Sequence, residues 1–95
     1  MEKSVSEKNK RVILVSGMSG AGKSVATRSL EDMGYHVIDN FPVQLVSLLV
    51  DMIETSIDPR YSYIALSTSA QDFPAFLRLL KGQNFEVQVL FLDAN

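Results

Sequence analysis

Apolar positions along the chain fall into two kinds of pattern. Four short runs are apolar or rich in β-branched and aromatic residues, which predicts strands, and they span roughly residues 11–16, 35–39, 61–66 and 86–92. Between them, apolar residues recur at helical spacing, in residues 23–33, in residues 43–56 and between Asp72 and Gly82. The pattern therefore predicts a chain of the order β-α-β-α-β-α-β.

Connections that each contain a helix favour parallel pairing of the strands they join. Right-handed crossovers then place helices on both faces of the sheet, and we expect Leu30 and Met33 of the first helix to face it. The predicted fold is α/β, with a doubly wound, mostly parallel sheet that is truncated after its fourth strand. In such sheets ligands bind at the carboxyl ends of the strands.

Composition narrows the class of protein without identifying it. A chain of 95 residues with an apolar fraction of 46% can bury one core, so we expect a single domain. Its net charge of −2 argues against a general nucleic-acid or membrane surface. Cysteine is absent, which excludes disulfides and fits a cytoplasmic protein. The polar residues 1–10 are predicted to be a flexible lead-in to a partial domain over residues 11–95.

One stretch carries a specific chemical signal. Eight consecutive residues match G-x-x-x-x-G-K-[ST], the phosphate-binding loop called the P-loop or Walker A motif, and they are Gly17, Met18, Ser19, Gly20, Ala21, Gly22, Lys23 and Ser24. A predicted strand precedes them and a predicted helix follows, which is the context that such a loop requires. The sequence therefore predicts binding of a nucleotide phosphate.

The residue types in this loop explain the predicted chemistry. Glycines allow backbone angles that a Cβ would forbid, so that successive N–H groups can surround an anion at the positive end of a helix. Lys23 is predicted to reach the β- and γ-phosphates and to act in catalysis, and the hydroxyl of Ser24 to hold Mg²⁺. The predicted cofactor is therefore Mg²⁺ with a nucleoside triphosphate.

Two aspartates at strand ends are further candidates. Asp39 ends the second strand, where it could serve as a general base toward an acceptor hydroxyl or could cap the turn before Pro42. Asp93 follows the fourth strand and could contact Mg²⁺ or have no site role. His36, the single histidine, is interpreted as a structural or surface residue.

From Gly17 onward the sequence resembles a known family. The strings GMSGAGKSVA, LEDMGYHVIDNFP and LFLDAN closely resemble the amino-terminal domain of the RapZ-type RNase adapter and nucleotide-binding family. The resemblance implies a P-loop fold similar to nucleoside-monophosphate kinases, binding of ATP and GTP, and slow hydrolysis. In some members it also implies small-RNA handling through a carboxyl-terminal domain that lies beyond these 95 residues.

The chain departs from the family pattern after the third strand. There the family carries an Asp-x-Arg-[Asn/Gly] segment associated with GTP binding, and alignment places Ser67, Thr68, Ser69 and Ala70 at these positions. The carboxylate and the guanidinium are both replaced. Hydroxyls can bond to Mg²⁺-bound water but supply no negative charge, which argues against GTP binding and metal-assisted turnover at this segment.

Three hypotheses follow for the function. The first is a RapZ-type nucleotide-binding protein with weak nucleoside-triphosphate hydrolysis, and the others are a small-molecule kinase and a non-catalytic adapter tuned by nucleotide. Protein or RNA partners are expected only through the missing carboxyl-terminal domain, and no membrane partner is expected. Because a bare fourth strand would expose an apolar face, we expect a fragment of a longer protein or a homo-oligomer.

Overall fold

The computed structural model describes residues 10–17 and 21–92. Within these residues, four strands and three α-helices alternate. Their bounds are β1 Arg11–Gly17, α1 Ala21–Asp32, β2 His36–Asp39, α2 Val46–Thr55, β3 Tyr63–Ser67, α3 Phe73–Leu80 and β4 Glu86–Leu92. One-turn 3₁₀ helices precede α2 and β3. No helix in these ranges is long and apolar enough to cross a membrane.

The strands form one parallel sheet in the order β2-β3-β1-β4. β1 is internal, between β3 and β4, and the connection from β1 to β2 passes over β3. In register, Val15 of β1 lies beside Ser67 of β3, which lies beside Asp39 of β2. The carboxyl ends of these strands therefore meet at one edge of the sheet, and the predicted doubly wound α/β fold is confirmed.

The larger part of the core lies between the sheet and the helices α2 and α3. Alternate residues of β1 and β3 face these helices because strand side chains point to opposite faces in turn. The cluster comprises Val12, Leu14, Val46, Leu49, Val50, Ile53, Ile64, Leu66, Phe76, Leu80 and Phe85. Burial of these side chains is the main stabilising contribution to the fold.

The opposite face of the sheet is covered by α1 and has a smaller core. Its buried cluster comprises Ile13, Val15, Leu30 and Ala65. Leu30 faces the sheet as predicted, but the prediction for Met33 was wrong, since 69% of this residue is exposed. The helix ends at Asp32, and Gly34 then turns the chain into β2 with a φ of +100°, so that Met33 lies outside the packed face.

Helix α2 carries apolar residues on two sides. The residues facing the core are Val46, Leu49, Val50 and Ile53. Leu45, Leu48 and Met52 recur at helical spacing with Leu49 and Ile53, but they are exposed. They line an apolar groove of about 310 Å³ beside β2.

Lys10 belongs to the folded domain and corrects the predicted boundary of the lead-in. Lys10 is only 7% exposed, and its ammonium donates hydrogen bonds to the carbonyls of Ile53 and Ser56. Carbonyls at the carboxyl end of a helix lack intrahelical donors and attract cations. The carbonyl of Lys10 also accepts from the amide of Glu86, so residue 10 continues the β1 side of the sheet.

Strand β4 is an edge strand of the described sheet. Val89, Leu90 and Phe91 are between 38% and 59% exposed. Phe91 retains one aromatic contact, an edge-to-face arrangement with Phe73 of α3 at a centroid distance of 6.1 Å. The predicted exposure of apolar residues on the fourth strand is therefore confirmed.

Candidate functional site

The connection between β1 and α1 carries the glycine-lysine motif. β1 ends at Gly17 and α1 begins at Ala21, two residues earlier than predicted, while residues 18–20 (Met18, Ser19 and Gly20) lie outside the described residues. Lys23 and Ser24 therefore lie in the first turn of a helix of 12 residues. The first N–H groups of a helix have no intrahelical acceptor and carry a partial positive charge, which suits an anion.

Gly17 is required by the close approach of another strand. Its φ is +121°, and a Cβ at this position would lie 2.1 Å from the carbonyl oxygen of Leu92. Both the backbone conformation and the contact exclude a side chain. The entry to the loop is thereby fixed against the carboxyl end of β4.

Lys23 reaches from α1 to the end of β3. Its ammonium donates a hydrogen bond of 2.7 Å to the carbonyl oxygen of Thr68, and the lysine is partly buried. The acceptor is itself held in place, because the amide of Thr68 donates to the carbonyl of Val15 at 2.9 Å. The structure therefore places the positive charge at the carboxyl edge of the sheet, next to the start of α1.

Ser24 is exposed on the first turn of α1. Mg²⁺ in nucleotide sites is bound by few protein ligands and keeps phosphate and water in the remaining positions. A single accessible hydroxyl fits that donor set. The described residues contain no group of three or more His, Cys, Asp or Glu side chains that could hold a metal by itself, and Asp93, the other predicted magnesium contact, lies outside them.

The segment Ser67–Ala70 differs from the predicted polar loop in its burial. Ser67 is the last residue of β3, and it and Thr68 are 2% and 3% exposed, whereas Ser69 and Ala70 are exposed. Because strand residues alternate between faces, Ser67 lies on the same face as Ala65, which packs under α1. The hydroxyl at this position therefore lies on the face of the sheet that α1 covers.

Ser16 supports the same segment and was missed by sequence reasoning. It is fully buried at the end of β1, and its hydroxyl lies 3.4 Å from the carbonyl oxygen of Ser69. A serine at the end of an otherwise apolar strand is the signal that could have identified it. It connects the strand before the loop to the segment after β3.

Asp39 and Asn40 end β2 beside a polar pocket. Asp39 is exposed and lies in register with Ser67, which confirms its position at the carboxyl edge but does not assign it a chemical role. Asn40 has a φ of +56°, a left-handed conformation that asparagine tolerates better than most residues. This turn directs residues 40–44 over the end of β3 and leaves a pocket of about 270 Å³ between them, residues 67–69 and Asp72.

The remaining charged candidates lie away from this edge. His36 is exposed at the start of β2, in agreement with its interpretation as a surface residue. Arg60 pairs with Asp58 at 2.7 Å. The side-chain hydrogen bond from Arg60, followed by its backbone hydrogen bond, lowers the pKa of Asp58. Arg11 pairs with Glu86 at the amino ends of β1 and β4.

Comparison with known proteins identifies the family. The RapZ-like N-terminal domain matches residues 10–95, which is most of the chain. The chain belongs to the RapZ-like N-terminal domain family. The resemblance seen in the three sequence strings is confirmed, and the first residue of the match is the buried Lys10.

Curated relatives in the RapZ-like family are named nucleotide-binding proteins. One from Hahella chejuensis is 42% identical over 90% of this chain, and one from Limosilactobacillus reuteri is 42% identical over 94%. A third, from Polaromonas naphthalenivorans, is 45% identical over 88%. The matched region covers 32%, 32% and 30% of these relatives, so the chain spans about a third of their length.

Proposed function

We propose that this RapZ-like domain binds ATP or GTP, together with Mg²⁺, through residues Gly17–Ser24. The observation that carries the proposal is the position of Lys23, whose ammonium lies at the carboxyl edge of a parallel sheet beside the first turn of α1. Cations, free helix N–H groups and a glycine that permits close approach together favour a polyphosphate. The name of the relatives, nucleotide-binding protein, supports the same ligand class.

Binding of a nucleotide exchanges one partner of Lys23 for another. The ammonium leaves the carbonyl of Thr68 and binds the β- and γ-phosphates. The phosphate carries a negative charge, whereas the carbonyl of Thr68 is neutral, so the exchange adds a Coulomb attraction that favours the bound state. The backbone of Thr68 stays fixed to β1 through the carbonyl of Val15.

Ser24 would hold Mg²⁺ between its hydroxyl and the phosphates. When bound, the ion neutralises charge on the phosphate oxygens. Ser67, on the same face of the sheet, would offer a neutral hydroxyl to a metal-bound water in place of the family's carboxylate. We expect this substitution to make hydrolysis slow, because a neutral hydroxyl holds the metal less firmly than a carboxylate.

The described arginines also favour slow turnover. Phosphoryl transfer depends on cations that stabilise the transferring group. Arg60 is paired with Asp58 in the turn before β3, and Arg11 is paired with Glu86 at the opposite edge of the sheet. Neither of these two paired arginines competes with Lys23, whose ammonium lies at the carboxyl edge beside the first turn of α1.

Substitution of Lys23 by alanine tests the proposal. Loss of a hydrogen bond from a charged group costs about 1.5–3 kcal/mol, so Lys23→Ala should weaken ATP or GTP binding roughly 10- to 100-fold. Isothermal titration calorimetry of the chain with each nucleotide, with and without Mg²⁺, measures this change. Lys81→Ala is the matched control, since Lys81 is exposed at the end of α3 and away from the carboxyl edge.

An unchanged affinity in Lys23→Ala would contradict the assignment. Equal weakening in Lys81→Ala would show that the loss reflects net charge and not the site. The titration without Mg²⁺ tests the role of Ser24 separately, because metal-dependent affinity should fall in Ser24→Ala while metal-independent affinity persists.

A small-molecule kinase is the second candidate, favoured by the polar pocket beside Asp39. In that function Asp39 would accept the proton of an acceptor hydroxyl. Nucleotide consumption that rises when an acceptor is added would support it. Slow phosphate release that does not depend on any acceptor would support the first proposal.

A further inference from the structure

We propose that the pocket between residues 40–44 and residues 67–72 binds a neutral, polyhydroxylated small molecule of the sugar or polyol class. None of the described residues of the phosphate loop lines the pocket, which lies at the carboxyl ends of β2 and β3. Its volume of about 270 Å³ is just below the range of about 300–1,000 Å³ found for pockets that take drug-sized ligands. The size therefore suits a small molecule.

The polar groups of the pocket suit a ligand that carries several hydroxyls. Asn40 and Gln44 contribute amides on one side, and Ser69 and Asp72 contribute a hydroxyl and a carboxylate on the other. Amides and hydroxyls both donate and accept, whereas the carboxylate accepts when ionised. The partly buried ring of Phe41 adds an apolar surface against which the C–H groups of a sugar can pack.

Thr68 supplies a buried hydroxyl that makes only a long hydrogen bond to the described residues. It is 3% exposed and lines the pocket. Within the described residues its hydroxyl has one contact, at 3.4 Å to the carbonyl of the adjacent Ser69, and this exceeds the usual 2.5–3.0 Å of O–H···O bonds. Buried polar groups are normally satisfied, so the site favours a ligand oxygen at this position.

The charge of the pocket selects against anions. Among the described lining residues there is no Lys, Arg or His, and Asp72 is the single charged one. Asp72 occupies the N-cap of α3 without a capping hydrogen bond from its side chain, so that its oxygens can accept from a ligand. A phosphorylated sugar would meet this carboxylate, while Lys23, whose ammonium bonds to the carbonyl of Thr68 beside the pocket, is not among the described lining residues.

One residue, Thr68, connects the pocket with Lys23 of the phosphate loop. Thr68 lines the pocket, and its carbonyl accepts a hydrogen bond from Lys23. If the proposed function holds, release of Lys23 to a phosphate changes the environment of Thr68. Binding at the two sites should then be coupled, and the coupling must be reciprocal.

Titration of the nucleotide-free chain with glucose and with myo-inositol, observed by ¹H–¹⁵N NMR, tests the pocket. We expect saturable chemical-shift changes at the amides of Asn40, Gln44 and Ser69, with dissociation constants in the millimolar range. Glucose 6-phosphate should bind more weakly than glucose. The absence of saturable shifts with both neutral compounds, or tighter binding of the phosphorylated sugar, overturns the proposal.

Asp72→Asn sharpens the test and retains a residue that suits a helix N-cap. Loss of a charge-assisted acceptor should weaken glucose binding roughly tenfold, while removal of the negative charge should strengthen binding of glucose 6-phosphate. Asp51→Asn, at an exposed position of α2, is the matched control and should change neither. Equal effects of the two variants, or no effect of Asp72→Asn on either sugar, contradict the assignment.

Failure of this inference is distinguishable from failure of the proposed function. The sugar titration contains no nucleotide, and the nucleotide titration of Lys23→Ala contains no sugar. Normal nucleotide binding with no sugar binding rejects the pocket alone. Sugar binding with no effect of Lys23→Ala on nucleotide affinity rejects the phosphate assignment alone.

Discussion

The two faces of the sheet differ in how much core they carry. Among the described residues, eleven buried apolar residues lie on the side of α2 and α3, and four lie on the side of α1. α1 contributes one buried leucine, Leu30, to its face, although it is the longest helix. The helix that carries the candidate phosphate site is therefore the least firmly packed of the three.

Most of the stabilising core and the proposed ligand site therefore lie on opposite faces of the sheet. Local stability in a protein follows the density of buried contacts, and ligand-binding elements often come from the less stable end of that range. On the α2 and α3 face, the cluster around Phe76 holds both helices to the sheet. On the α1 face, Lys23 can change partner with little disturbance to the main core.

Phe76→Ala should have the largest effect on the free energy of unfolding. Phe76 is fully buried in the larger cluster, and truncation of a buried phenylalanine costs about 3–5 kcal/mol. That is a large share of the 5–15 kcal/mol typical of a domain. Urea denaturation followed by circular dichroism measures it, and a loss no greater than that of Leu30→Ala would break the comparison between the faces.

Leu30→Ala should have an intermediate effect, about 2 kcal/mol, at the lower end of the range for buried leucine. The smaller cluster offers Leu30 fewer neighbours to lose. Met33→Ala is the matched control on the same side, and its effect should stay within about 0.5 kcal/mol because exposed positions contribute little. A large loss in Met33→Ala would show that the end of α1 packs more tightly than the structure indicates.

Asp58→Asn should have the smallest effect and should depend on pH. The bond from Arg60 holds the pKa of Asp58 below its ordinary value of 3.8. The pair therefore stabilises the folded state above that value, and its contribution disappears as pH falls through the lowered pKa. Urea midpoints of the original chain and Asp58→Asn should differ slightly near neutral pH and converge in acid. A difference that grows in acid would contradict the pairing.

The order of the elements could be predicted from the sequence because each element has a distinct period. Apolar runs marked β1 and β3, and glycines with positive φ followed α1 and α3, at Gly34 and Gly82. The phosphate motif was recognised because its glycines and lysine have fixed spacing. These signals are local and need no knowledge of the tertiary contacts.

Features that depend on contacts between distant segments could not be predicted. Lys10 was assigned to a polar tail because nothing near it in sequence reveals the carbonyls of Ile53 and Ser56. The two apolar sides of α2 were merged, since spacing alone does not show which side meets the sheet. The polar pocket combines residues 40–44 with residues 67–72, and only the register of β2 on β3 brings them together.

The contact of Gly17 with Leu92 also restricts how this loop can evolve. Every one of the other amino acids carries at least a Cβ or a ring, and that atom would lie 2.1 Å from the carbonyl oxygen of Leu92. No substitution at this position is therefore tolerated unless the end of β4 moves at the same time. Substitution of the first residue of the loop requires a compensating change in a strand about 75 positions away along the chain.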